Sequence, residues 1–482
     1  MLKRASYLSI AFSLAGSLFL SAPRAEATDF IIEPETIVIA LTEEIPNIVE
    51  GSECADPDYW AGDGVSRGGD WQNGRSAGTY DSHEDAIQDA VDGASAGDTI
   101  YLCAGTWDFQ GVVEVDKDLS VVGAGQNSTI LDGGGANQIF TTWIARGDPP
   151  VYSGYSLDLA DMTLQYASSW NGAAYLHGDS TILRCTFKNN ESFNIGGALE
   201  ANATLLVEDS LFLDNQSRWT GGAIFASILE VRNTQFIGNS NVYVHDGNDD
   251  ASGGAISFSN SLIVDDSEFR DNSAEENADG VGTDWGYGGA IFGLSGFLTI
   301  RNTKFIGNSS GSGGAVYVMW DGEQEIVRNS FIGNIAANPE GQGGAIRLSA
   351  VTNQTVITKN TFDRNEAWQG GAVSLNDTGE PTDQSWNAIV RQNRFARNQA
   401  IGSGGALHFA LDDSGRVTPR NFGRNRFSRN RADNGGAMVV ESDYGRARQI
   451  VRRFTRVVRQ NRFLGNRAFV VRGSRNLGVH FD

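Results

Sequence analysis

Phe305-Ile306-Gly307-Asn308-Ser309-Ser310-Gly311-Ser312-Gly313-Gly314-Ala315-Val316 holds both motifs that decide the fold. Phe-x-x-Asn comes first, and Gly-Gly-Ala followed by an apolar residue comes after it. Reading outward, the same pair recurs on both sides. Phe-x-x-Asn recurs from Phe187 to Phe463, and the glycine pair recurs from Gly196 to Gly435. The two motifs alternate in order with a period of roughly 25–35 residues, the range of solenoid repeats.

Stacked parallel strands lie about 4.8 Å apart, so each position meets its own copy above and below. The phenylalanines are therefore expected to form an internal stack, each burial worth roughly 1.5–3 kcal/mol. The asparagines are expected to take the left-handed turn geometry and to bond to the adjacent coils through their amides. The glycine pair is expected where a Cβ would clash. A second polar ladder precedes each Phe: Ser210, Thr234, Ser267 and Thr303, then Asn329, Asn360, Asn393, Asn425 and Asn461. An apolar residue such as Val207 or Val264 lies five positions before the Phe. Inward residues an odd number apart require a bend between them, so each coil should hold several short strands. Propeller blades need about 40 residues, more than these repeats supply. The expected fold is all-β, a right-handed parallel β-helix solenoid spanning 82–482. Its opening is a short amphipathic helix, with Ala86, Ile87, Ala90 and Val91 on one face, that plugs the end of the stack.

Residues 98–133, with Gly97-Asp98-Thr99-Ile100-Tyr101-Leu102 and Ser128-Thr129-Ile130-Leu131-Asp132-Gly133, resemble the opening coils of the pectin-lyase-like β-helix superfamily. The GGA(I/L/V) and FxxN repeats over about 183–466 resemble those of the chlamydial polymorphic outer membrane proteins. The second resemblance implies an exported surface adhesin or passenger domain, and the first leaves a polysaccharide lyase or glycoside hydrolase as the alternative. Chlamydial relatives end in a membrane β-barrel. This sequence shows no lipid-facing alternation after Phe463, so membrane insertion does not carry over.

Lys3 and Arg4, an apolar run from Leu8 to Leu20 and Ala25-Glu26-Ala27 read as a signal peptide over 1–27, followed by an arm over 28–81. The expected location is secreted or cell-surface, without a transmembrane segment after cleavage. Of the three cysteines, Cys54 and Cys103 are expected to pair and tie the arm to the cap, and Cys185 to be a small buried residue. There is no CxxC or His/Cys cluster, so neither a metal site nor another cofactor is expected. Ca²⁺ on Asp246, Asp249 and Asp250 is the one alternative. The net charge of −22 argues against nucleic acid as the main partner.

Alternation places Glu200, Phe225, Ser257, Phe292, Tyr317, Arg347, Ser374, His408 and Val439 on one outward row. No carboxylate pair of the kind sugar hydrolysis needs stands on adjacent coils there, so this face reads as a binding or packing surface. The longest insertions carry Tyr243, His245 and Asp246 on one coil and Asp284, Trp285 and Tyr287 on the next, with Trp219 and Trp368 on the same edge of other coils. These aromatic and acidic groups are the candidate binding residues for a host protein or glycan. After residue 391 arginines crowd and lysine is absent. Arginine suits bidentate contact with carboxylate, phosphate or sulfate, so this region could contact an anionic cell surface.

The disulfide is testable directly. In denatured, unreduced protein, a thiol reagent should label Cys185 and leave Cys54 and Cys103 unlabelled. Labelling of all three would remove the staple.

Overall fold

A computed structural model describes residues 83–102, 104–146, 151–152, 154–243, 251–276, 286–320, 322–349, 351, 354–376, 388–411, 421–442, 460–468 and 479–481. The leader, the arm, Cys54, Cys103, His245, Asp246, Asp249, Asp250, Asp284 and Trp285 lie outside the described residues.

The described residues form an all-β parallel β-helix with one short helix at its N-terminal end. Helix α1 (His83–Gly93) buries Ala86, Ile87, Ala90 and Val91, the face that its periodicity marks. Among the described residues the coils beyond it build three sheets of 22, 13 and 11 strands, the 11-stranded one beginning only at Ser168. The broad sheet takes the segments after the glycine pairs, and in three coils these fuse into long strands: Leu199–Glu208, Ile224–Arg232 and Ile256–Asp265. The 13-stranded sheet takes the three residues centred on each Phe. The 11-stranded sheet takes the short segment after each Asn. At the far end Val479–Phe481 pairs antiparallel with Met438–Ser442 and covers an edge that would otherwise be free to template another strand.

Superposition of like on like is carried by two interior stacks. Phe187, Phe212, Phe236, Phe269 and their successors through Phe463 lie ring over ring. Phe236 and Phe269, for example, are 4.7 Å apart at 2°. Beside them runs the asparagine ladder. In each rung from Asn215 to Asn430 the backbone N–H and the side-chain amide both donate to the carboxamide oxygen of the next coil, and the amide also donates to a Phe carbonyl of the previous one. For Asn308 these bonds are 3.1 and 2.9 Å to Asn334 Oδ1 and 3.1 Å to Phe269 O. In the second ladder each backbone N–H donates to the side-chain oxygen of the next coil, from Cys185 N–H to Ser210 Oγ through Asn425 N–H to Asn461 Oδ1, while the Ser and Thr hydroxyls donate to a carbonyl two residues back in their own coil.

One expectation is corrected. The left-handed residue is the one before each ladder asparagine: Asp214 at φ 52°, Asp271 at 53°, Arg397 at 58°, or glycine as at Gly307. The Asn follows that turn and spends its amide on the neighbouring coils. The glycine pair divides two tasks. Its first member has positive φ, as at Gly221 (66°), and a Cβ on its second, Gly222, would run into the carbonyl of Gly254 in the next coil.

Cys185 is buried and free, and burial pushes its thiol up to about 12. It replaces a ladder hydroxyl and is chemically quiet at neutral pH.

Asn308→Ala should lower unfolding stability by about 2–3 kcal/mol, because Asn272 and Phe269 keep buried polar groups that then lack partners. Urea denaturation measures this. A loss below about 0.5 kcal/mol would show that water replaces the amide.

Candidate functional site

The outward row is one continuous register across the broad sheet. It runs Glu114, Thr141, Tyr175, Glu200, Phe225, Ser257, Phe292, Tyr317, Arg347, Ser374, His408, Val439. Alternation therefore assigned the face correctly from Glu200 onward. It did not reveal that most of this face is closed. Phe292, Tyr317, Ser374 and His408 are all buried.

In three successive coils the cover comes from the residue just before the glycine pair. The left-handed glycine folds the chain so sharply that this residue lies over the outward row of the following coil. Tyr287 stacks on Tyr317, with ring centroids 4.8 Å apart. Ser312 Oγ accepts a 2.9 Å bond from Arg347 Nη1. Gln342 Oε1 accepts from Ser374 Oγ at 3.2 Å and from Asn376 Nδ2 at 2.7 Å. Arg347 also lies over the Tyr317 ring at 5.0 Å, and Ser349 Oγ donates to the Tyr317 hydroxyl at 2.9 Å. This half of the row is a packed polar seam.

The row opens at its N-terminal end. Trp143 is 41% exposed, Asn202 is exposed, and Tyr175 and His177 are half-buried. Trp143, His177 and Asn202 each lie two residues beyond the row members Thr141, Tyr175 and Glu200, and so face the same side. The Trp143 ring is 6.1 Å from Tyr175 and 6.3 Å from His177, and the Tyr175 and His177 rings meet edge to face at 4.7 Å. Asn202 Nδ2 donates to the Tyr175 hydroxyl at 3.2 Å and is 3.1 Å from His177 Nε2.

The electrostatics of this cluster are unusual. Burial pushes the Glu200 carboxyl up to about 7, and its Oε2 has no hydrogen-bond partner. Burial, and then the Glu200 charge, raise the Tyr175 phenol. Burial holds the His177 imidazole below its ordinary value, so the ring is neutral at pH 7 and Nε2 can accept from Asn202. The cluster presents an aromatic ring edge, an amide, a neutral base and a phenol around a carboxyl that is partly protonated at neutral pH.

Of the residues singled out from the sequence, Trp219 is 54% exposed and Trp368 is 37% exposed. They are not brought together. The chain steps from Thr220 through Ser252, Tyr287, Ser312 and Gln342 to Gln369, five coils or roughly 24 Å. Tyr243 ends the strand Ser240–Tyr243. Tyr287 belongs to the seam wall and is not a free loop aromatic. Among the described residues no group of three or more His, Cys, Asp or Glu is placed to hold a metal. No described helix is long and apolar enough to cross a membrane.

Tyr175, His177 and Trp143 escaped the sequence reading because the early coils lack the repeat motifs that set the register. One signal was present. Gly172-Ala173-Ala174-Tyr175 is a degenerate glycine-pair motif, and Ala174 pairs with Leu199.

No family model matches the chain, and no curated protein matches it. Solved structures similar to it are parallel β-helix enzymes. The catalytic unit of a thermostable GH87 alpha-1,3-glucanase from Streptomyces thermodiastaticus is 14% identical over 75% of this chain, with TM-score 0.42. This chain spans 65% of the length of that one. A PL6 alginate lyase in complex with trisaccharide is 13% identical, over 74% of this chain and 82% of the other, with TM-score 0.40. A mannuronic acid specific family 6 polysaccharide lyase from human gut microbiota is 12% identical, over 76% and 86%, with TM-score 0.39.

The Glu200 carboxyl ionises near 7 in the folded chain and near the ordinary 4.5 when unfolded. Between those values the folded state keeps a proton that the unfolded state has lost, so stability falls as pH rises through this window. Glu200→Gln should flatten that decline and stabilise the protein at pH 8 by roughly 2–3 kcal/mol. Parallel thermal melts of wild type and variant from pH 4 to 8 would show it. Curves that stay parallel would mean that Glu200 titrates normally.

Proposed function

We propose that this chain is an exported, adhesin-like β-helix that binds glycan through the open end of its outward row. The observation that carries this reading is the cluster of Trp143, Tyr175, His177 and Asn202 on one exposed side of the broad sheet. A sugar ring offers an apolar face and a rim of hydroxyls. A half-exposed indole suits the face, and an amide, a phenol and a neutral imidazole suit the rim. Export rests on the N-terminal signal pattern. A surface-adhesin role rests on the repeat resemblance.

A second reading is favoured by one specific feature. A neutral His177 beside a Tyr175 phenol can take a proton from a carbon and return one to a leaving oxygen, which is what β-elimination of a uronate requires. Hydrolysis by a carboxylate pair is not supported, because Tyr175 and Phe225 flank Glu200 in the row.

Binding of the purified chain to an array of neutral and acidic glycans tests the first reading. Trp143→Ala and Asn202→Ala should each weaken retention of the bound glycans by about tenfold while leaving thermal stability nearly unchanged. If both variants retain every glycan as wild type does, this end of the row is not the binding site. Incubation with polyuronates, followed by ultraviolet absorbance of unsaturated ends, tests the second. Product formed by wild type and lost in both Tyr175→Phe and His177→Gln would convert the binding site into an active site.

A further inference from the structure

The 13-stranded sheet lies on another face of the coil and carries a charge pattern that the outward row does not explain. In the earlier coils the arginines on this sheet and on the segments leading into it are neutralised at home. Arg184 pairs with Asp161, Arg232 with Glu230 and Arg270 with Glu268. The last described coils are different. Arg394, Arg426 and Arg462 occupy the same position on three successive strands, in direct register. On the adjoining short-strand sheet Arg431 stands directly below Arg467. All five are exposed, and none has an ion pair or side-chain hydrogen bond among the described residues. Asp433 lines a small surface recess with Arg431, without an ion pair between them.

Two physical arguments make this arrangement costly without a partner. Like charges directly opposite on neighbouring strands are destabilising, and here they repeat at every coil. The backbone adds a second cost. The residue before each ladder asparagine must be left-handed, and earlier coils place Asp214, Asp271 or glycine there, residues suited to it. From Arg328 onward most coils place basic residues there: Arg364, Arg397 and Arg429 (φ 57°, 58° and 58°) before the asparagine ladder, and Arg328, Lys359 and Arg424 (φ 62°, 61° and 58°) at the equivalent turn before the second ladder. Local preference is set aside at both turns, and these residues add positive charge to the same face.

We propose that this arginine ladder is a docking surface for a linear acidic polysaccharide lying along the helix axis. The strand repeat offers one guanidinium row about every 4.8 Å, about the length of one pyranose unit in an extended chain. The planar fork of arginine matches carboxylate and sulfate. A single-stranded nucleic acid fits less well, because its binding relies on aromatic platforms for base stacking, and the exposed residues interleaved with these arginines are aliphatic or polar, Leu464 among them. A second copy of the chain also fits less well, because Glu268, the acid described in the same row of the sheet, is engaged by its own Arg270 and Lys304.

The test uses the whole secreted chain and four immobilised probes: alginate, dextran sulfate, neutral dextran and poly(dT). Retention on alginate or dextran sulfate that falls steeply with salt is expected, with little on neutral dextran. The two acidic probes distinguish a carboxylate from a sulfate ligand. Arg426→Glu with Arg462→Glu should lower affinity by about tenfold or more, while Lys304→Glu in the same row should have little effect. The milder R426Q/R462Q pair serves if the reversal does not fold, and it should melt no lower than wild type because repulsion is relieved. Loss of binding in Lys304→Glu to the same extent, tighter binding of poly(dT), equal retention on neutral dextran, or concentration-dependent self-association abolished by the charge reversal would each overturn the proposal. Trp143→Ala should leave this binding intact, so the two surfaces succeed or fail separately.

Discussion

Each coil of this protein is held by hydrogen bonds that leave it for the coil before and the coil after. That constraint forces like onto like. A position that suits one coil must suit the copy of itself about 4.8 Å away, so the chain repeats residues whose self-contact is favourable. Phenylalanine rings stack with their planes nearly parallel. Asparagine amides are both donors and acceptors, so a file of them satisfies itself without water. No carboxylate file could do the same in the interior, because a column of acids has acceptors alone and repels itself.

The same constraint governs the surface, with less force. An outward position also meets its own copies, but water and loops can dilute the contact, so identity is not required. The outward row of the broad sheet can therefore change from acid to aromatic to cation along its length. The 13-stranded sheet passes from paired acids and arginines to arginine alone. Both proposed binding surfaces lie at these departures from repetition. Trp143, Tyr175 and His177 lie in coils that lack the strict motif, and the arginine ladder lies in coils that keep the interior phenylalanines while arginine fills the exterior row beside them.

The legibility of the molecule follows from this division. Phe305-x-x-Asn308 and Gly313-Gly314-Ala315 announced interior stacks, and those stacks are present. Alternation from Leu199 placed Glu200, Arg347 and His408 on one face, and the register agrees. Two things were not legible. The residue before the glycine pair, such as Tyr287 or Gln342, folds back over the next coil, a contact between residues about 30 apart that no local pattern encodes. The cluster around Tyr175 depends on coils whose register has no motif to mark it. The reading of Asn as the left-handed residue failed because a propensity was assigned to the recurring residue instead of its variable neighbour, Asp271 or Gly307.

By itself the sequence determined the winding, the inward files and the side of the strand on which each later residue stands, because in a parallel β-helix these follow from period and alternation alone. The tertiary structure decided which outward residues meet water. It buried Tyr317 and His408 under the preceding turn, left Trp143 and Asn202 open, and desolvated Glu200 until its carboxyl ionises near neutral pH. Exposure and ionisation depend on what lies over a group from another coil, and that is set by three-dimensional packing, which alternation along one strand does not record.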